Sequence, residues 1–180
     1  NVNSPLGVPD LVASLNALER DIPACGAVSL VVSWFGDDLR CGNCRLHPRV
    51  ERHDAEGKGM PWQVSGLSRA GAARVPVEDG RPVYGGTPAD ASVVQAIREL
   101  RARGQAVMFY PFILMTQMAG NTLPDPVSGT PGQPVLPWRG RITLSRAPGQ
   151  PGSPDGGAGA DAEVAAFLGT ATAADFTIGN

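Results

Sequence analysis

Two neighbouring carboxylates, Asp37 and Asp38, follow directly on an apolar run that ends at Gly36. A carboxylate at the carboxyl end of a strand stands where α/β architectures gather their catalytic groups. Glycoside hydrolysis needs two such groups facing one another, roughly 5 Å apart for retention and roughly 6.5–9.5 Å for inversion. Asp37 and Asp38 are adjacent in sequence, so their side chains diverge, and neither has an assignable partner across a cleft. They are weak catalytic candidates, and the competing reading is a turn whose aspartates cap backbone amides. A second constellation is Cys41-Gly42-Asn43-Cys44 with His47 and His53. The donor types suit zinc, but the spacing leaves almost no chain between the thiol pair and the imidazoles, unlike the common fingers, so no metal is expected. A redox-active pair needs a helix amino terminus to stabilise the thiolate, and no periodic helix follows Cys44. A local, redox-dependent disulfide between the two cysteines stays open. A third set is aromatic: Trp34, Trp62, Tyr110 and Trp138. Aromatic faces suit the apolar faces of sugar rings, which makes Trp34, Tyr110 and Trp138 candidate ligand-binding residues. Packing inside a core is the competing reading for Trp34 and Tyr110, whereas Trp138 lies among Pro137 and Arg139 in a loop.

These side chains need elements to hold them. Pro9 to Asp21 reads as a helix with Leu11, Leu15 and Leu18 on one stripe. Ala27 to Phe35 reads as a buried strand that delivers Gly36-Asp37-Asp38 at its end. From Tyr84 to Met115 a turn, a helix and a strand follow in immediate succession. Thr87 is a candidate cap, Pro88 suits the first helical position, Asp90 the first turn, and Gly104 the stop. Ala106 to Tyr110 then reads as a strand covered on both faces, with Pro111 limiting its ladder. Helix followed at once by strand is half of a parallel βαβ repeat. Between these parts, 39–71 is a charged excursion that includes Lys58, with a short extended piece at Trp62 to Ser65, and Glu78-Asp79-Gly80 turns a hairpin. Gln117 to Gly159 is irregular and proline-rich, with one possible strand at Arg141 to Ser145; a loop of that length is a functional or mobile surface segment. Asp161 to Leu168 reads as a last helix, and Thr170 to Asn180 runs out without a closing signal.

At 180 residues the chain suits one domain with a sizeable core. Its 23 glycines and 17 prolines stop short of the roughly 25–30% that marks a low-complexity chain, so the surface is rich in loops. A net charge of −2 with dispersed arginines gives no case for nucleic acid or an anionic membrane, and no run approaches the roughly 18 apolar residues of a membrane span. Three cysteines are too few and odd in number for a disulfide scaffold. Asn1 opens neither a signal peptide nor a natural start, so the chain reads as part of something longer.

Four strings carry a family resemblance: Val28-Ser29-Leu30-Val31-Val32-Ser33-Trp34-Phe35-Gly36-Asp37-Asp38-Leu39-Arg40, Tyr84-Gly85-Gly86-Thr87-Pro88, Tyr110-Pro111-Phe112-Ile113-Leu114-Met115 and Pro137-Trp138-Arg139-Gly140-Arg141-Ile142-Thr143. Together they resemble the TIM-barrel-like domain of the large tail-tip, or baseplate hub, protein of gene transfer agents and related phages. The resemblance implies an α/β fold, a partial (β/α) TIM-like barrel of glycoside-hydrolase type with long Pro- and Gly-rich loops, in which residues 1–180 are the amino-terminal half of the domain in a longer multidomain protein. It implies a structural, host-facing role at a virion tail tip, assembled in the bacterial cytoplasm and then released. The implied partners are other tail and baseplate proteins and cell-envelope glycans, with no cofactor and no nucleic acid. The alternative is a glycoside hydrolase acting on envelope polysaccharide in the whole parent protein. The acid and its partner usually come from later strands of such barrels, so this chain by itself is expected to be inactive. Half a barrel has open edges, so self-association is expected as well.

Overall fold

The computed structural model describes residues 2–57 and 59–175, which leaves Lys58 and the end of the Thr170–Asn180 tail outside the described residues. In chain order the elements are α1 (Asp10–Asp21), β1 (Ala27–Gly36), the short strands β2 (Leu46–His47), β3 (Arg49–Val50), β4 (Gln63–Val64), β5 (Leu67–Ser68), β6 (Ala73–Arg74), β7 (Val77–Glu78) and β8 (Arg81–Pro82), then α2 (Asp90–Ala102), β9 (Ala106–Met115) and α3 (Ala158–Leu168). The architecture is mixed α/β, and among the described residues no sheet closes into a barrel. The chain divides into two compact units: Asn1–Ser33, Val50–Arg74 and Gly85–Phe112 in the first, Trp34–Arg49, Val75–Tyr84 and Ile113–Asn180 in the second.

The main sheet has the order β2-β1-β9. The backbone bonds Ala106 N–H to Gly26 C=O and Thr116 N–H to Gly36 C=O keep one sequence offset at both ends of the strands, which parallel pairing alone gives. The expected βαβ half is therefore present, with α2 leading straight into a strand parallel to β1. Several of its details differ from expectation, and Pro88 is one, since it precedes the cap instead of opening the helix. Thr87 is not in the cap position: α2 starts at Asp90, with Ala89 there and no side-chain cap bond from it. Thr87 is instead buried, and its carbonyl accepts the Trp62 indole N–H at 2.7 Å. Pro111 does not shorten the ladder either, because β9 runs through it to Met115. The reason is parity. In a parallel pair alternate residues turn both backbone groups toward one neighbour; Ala106 and Thr116 face β1, so Pro111 faces the other edge and costs the ladder no donor. Nor is β9 covered on both faces: Met108, Phe109 and Tyr110 are 63%, 49% and 39% exposed.

In the first unit the apolar stripe of α1 buries Leu15 and that of α2 buries Ala96 and Leu100, and the core is completed by Val32, Val50, Trp62 and Val64. Gly104, at φ +77°, ends α2 as expected. The extended piece at Trp62 to Ser65 proves to be one arm of a hairpin, β4 with β5, turned at Ser65 and Gly66, which both have positive φ. The signal was a Ser-Gly pair, a turn dipeptide. The second unit holds the expected hairpin, β7 with β8, turned at Asp79 and Gly80 with φ of 48° and 75°. Its core is Phe35, Leu39, Cys41, Cys44, Val75, Met115 and Leu144, together with the polar Asp38, Gln117 and Gln133. The suggested strand at Arg141 to Ser145 is only a bridge between Thr143 and Arg40, entered through a 3₁₀ turn at Arg139–Arg141. No helix is long and apolar enough to cross a membrane among the described residues.

Candidate functional site

The elbow after β1 lies in the second unit, and there the two aspartates part company. Asp38 is 5% exposed. Its Oδ1 accepts from the Arg40 backbone N–H at 2.8 Å, from Arg40 Nε at 3.0 Å and from Gln133 Nε2 at 2.7 Å, while Oδ2 takes Arg40 Nη2 at 2.6 Å. Burial pushes the Asp38 carboxyl up, but the Arg40 side chain, the Arg40 amide and Gln133 outweigh it and hold the group below the usual carboxylate range. A carboxyl that must deliver a proton near neutrality needs the opposite shift. The lone pairs of Asp38 are already engaged, so it is a structural anion rather than an acid.

Gln133 is the residue that sequence reasoning missed. Within an apparently structureless proline-rich stretch, its Oε1 accepts from Leu39 N–H and from Gln117 Nε2, both at 2.9 Å, and its Nε2 donates to Asp38 and to the Pro124 carbonyl. Asn121 brackets it, accepting the Gln133 backbone N–H at 3.0 Å and donating to its carbonyl at 2.8 Å. One buried amide thus orders the long loop against the elbow. A Gln between Gly and Pro carries no sequence signal of this kind. Glu163 has no such signal either. From α3 it accepts the Ser145 N–H and Oγ–H, each at 2.6 Å, with the Cys41 thiol 4.0 Å away.

Asp37 remains open to solvent, its side chain 37% exposed. Its Oδ1 accepts the Arg45 N–H at 2.7 Å, and its Oδ2 lies 4.0 Å from His47 Nε2. Arg49, half-buried, feels the Asp37 charge as well, although burial holds its guanidinium below its ordinary value. Asp37 therefore has the Arg45 amide, His47 and Arg49 as its neighbours.

The cysteine–histidine set does not assemble. Cys41 and Cys44 are buried free thiols, and their pKa values are raised, in both cases first by burial. His47 belongs to the second unit; His53 belongs to the first, where Nε2 lies 2.9 Å from the Ala72 carbonyl. Among the described residues no group of three or more His, Cys, Asp or Glu is placed to hold a metal. The aromatics divide in the same way. In the first unit Trp62 is core, its ring beneath the Arg69 guanidinium at 5.8 Å, and Tyr110 stands edge-on to Phe112 at 5.9 Å. In the second, Trp34 is half-buried in β1, whereas Trp138 is 68% exposed with its ring folded over Gly140, where a Cβ would collide with it. That leaves Trp138 as a solvent-facing aromatic pinned against backbone. Nearby in the chain, Arg139, Ile142 and Leu144 line a largely apolar cleft of about 520 Å³ with Cys41, Asp155 and Phe167.

Fold and site together define a mixed α/β domain in which the elbow after β1 carries a buried polar network. No protein-family model matches the chain, and no curated protein matches it.

Proposed function

We propose that the protein is a non-catalytic, host-facing structural domain of a phage-like tail tip or baseplate, and that it contacts cell-envelope glycans. The observation that carries this reading is the state of Asp38: the most deeply placed carboxylate at the end of β1 is locked to Arg40 and Gln133, so that end of the sheet is built as a rigid mount. The parallel pairing of β1 with β9, led in by α2, fits the opening repeat of a TIM-like barrel. The pinned, exposed Trp138 suits stacking on a sugar face, and Trp34 and Tyr110 are secondary candidates for such contacts. Hydrolysis of envelope polysaccharide by a longer parent protein is the lesser reading, because it takes both its acid and its partner from elsewhere. In this reading the other partners are tail and baseplate proteins and, for the isolated chain, a second copy. Among the described residues nothing pairs with the outer edge of β9, where Met108 and Phe109 stand exposed. Antibody against the chain, applied to tailed particles from the producing bacterium and viewed by electron microscopy, should label the tail tip. Label confined to cell debris would end the proposal.

A further inference from the structure

Asp161 and Glu163 are the charged residues of α3, which is otherwise small and apolar in sequence, yet among the described residues none of this helix is buried. A helix apolar on most sides normally packs its surface against something. What holds α3 instead is polar: Glu163 accepts both the N–H and the hydroxyl of Ser145. Ala160, Val164 and Phe167, spaced to share one side of the helix, line the cleft of about 520 Å³ together with Ile113, Ile142 and Leu144. Ile113, Ile142 and Phe167 are only half-buried and Val164 is exposed, so the cleft turns apolar surface toward water. The charged residues along it, Arg139 and Asp155, are of opposite sign. All of these residues belong to the second unit.

We propose that this cleft binds the aliphatic chain of an amphipathic lipid, one molecule at a time, and leaves the polar head in water. Its volume falls within the roughly 300–1,000 Å³ of small-molecule sites. A peptide laid there would bring backbone N–H and C=O groups into a lining whose uncharged polar members are the Thr143 hydroxyl and the Cys41 thiol. Unpartnered polar groups are costly to bury, and an alkyl chain brings none. Arg139 and Asp155 offset one another, so the lining favours neither an anion nor a cation and suits an uncharged chain. The site goes beyond the glycan-contact reading and does not depend on it.

The test equilibrates the purified chain with phenylnaphthylamine, a neutral dye that fluoresces in apolar surroundings, and displaces it with hexanol, heptanol, octanol and decanol. Each added methylene should tighten displacement about three- to fourfold until the cleft is full. Octanoate and octylammonium should compete no better than octanol. Val164→Glu, which sets a charge in the cleft from an exposed helix position, should weaken octanol binding about tenfold or more. Met108→Glu, which alters the exposed apolar strand of the first unit, should leave it unchanged. Cys41 also lines the cleft and gives a reading on the unaltered chain: octanol should slow its alkylation by iodoacetamide several-fold and leave Cys25 at its own rate. That measurement decides the matter if circular dichroism shows that Val164→Glu does not fold. No gain with chain length, a loss in Met108→Glu equal to that in Val164→Glu, or Cys41 alkylated at the same rate with and without octanol would overturn the proposal. Octanol binding that weakens as protein concentration is raised would give the cleft to a second copy of the chain and overturn it as well.

Discussion

At the scale of single residues, most of the chemistry belongs to groups that hold others still. Asp38 and Arg40 form a largely buried, bidentate pair, and a buried pair broken from one side leaves an uncompensated charge. Arg40→Met should therefore destabilise the protein by about 3 kcal/mol, measured by urea unfolding. Gln133→Ala takes the partner from the Leu39 N–H, the Pro124 carbonyl and the Gln117 side-chain amide together, and should cost about 2–4 kcal/mol by the same measurement. The pH dependence follows from the sign of the Asp38 shift. Its folded-state pKa is depressed, so its stabilisation is present above the unfolded value of about 3.9 and is lost as pH falls through the folded value. Unfolding midpoints of Asp38→Asn should therefore be flatter than wild type below about pH 5. Among the thiols, Cys25 is only half-buried, while Cys41 and Cys44 are buried with raised pKa. Iodoacetamide at neutral pH should label Cys25 well before the other two, as followed by mass spectrometry.

At the scale of elements, what could be read in the chain was what local chemistry decides. The α1 helix, the β1 strand, the Gly104 stop and the Asp79-Gly80 turn each depend on residues a few positions apart, and each formed, although Leu11 of the α1 stripe and Val31 of β1 stand exposed where burial was expected. What stayed hidden depends on partners far along the chain. Gln133 meets Asp38 across 95 residues, and Glu163 meets Ser145 across 18, so neither role has a local pattern. Thr87 misled for another reason. A good capping residue lies two positions before the cap, buried, with its carbonyl on the Trp62 indole. The parity of β9 gives a paired prediction. Pro111→Ala should change stability by less than about 1 kcal/mol, since residue 111 gives β1 no bond, whereas Phe112→Pro removes an inward donor and should cost about 3 kcal/mol or more. Thermal unfolding of the two variants side by side decides it.

At the scale of the whole molecule, the contrast lies between a deeply buried cluster in the second unit and an exposed strand in the first. Phe35, Leu39 and Met115 are at most 1% exposed, while Val31, Met108 and Phe109 stand open at 54%, 63% and 49%. Apolar surface of this kind on a sheet edge favours association. Light scattering after size exclusion should show an apparent mass that rises with concentration, and Met108→Lys with Phe109→Lys should return it to that of one chain. A single mass across a wide concentration range in the unaltered protein would refute this.

The outward placement of Pro111 sets the strength of any such association. The run from Ala106 to Met115 carries no charge, the composition from which fibrils are templated. A strand laid along its free edge would find amide donors on either side of residue 111 and none at it. The added ladder is thereby split into two short segments, each below the length that holds by itself. Contacts along this edge would exchange rather than propagate, so a chain with so sticky a strand is protected from polymerising by one imino acid in the correct phase of the pleat.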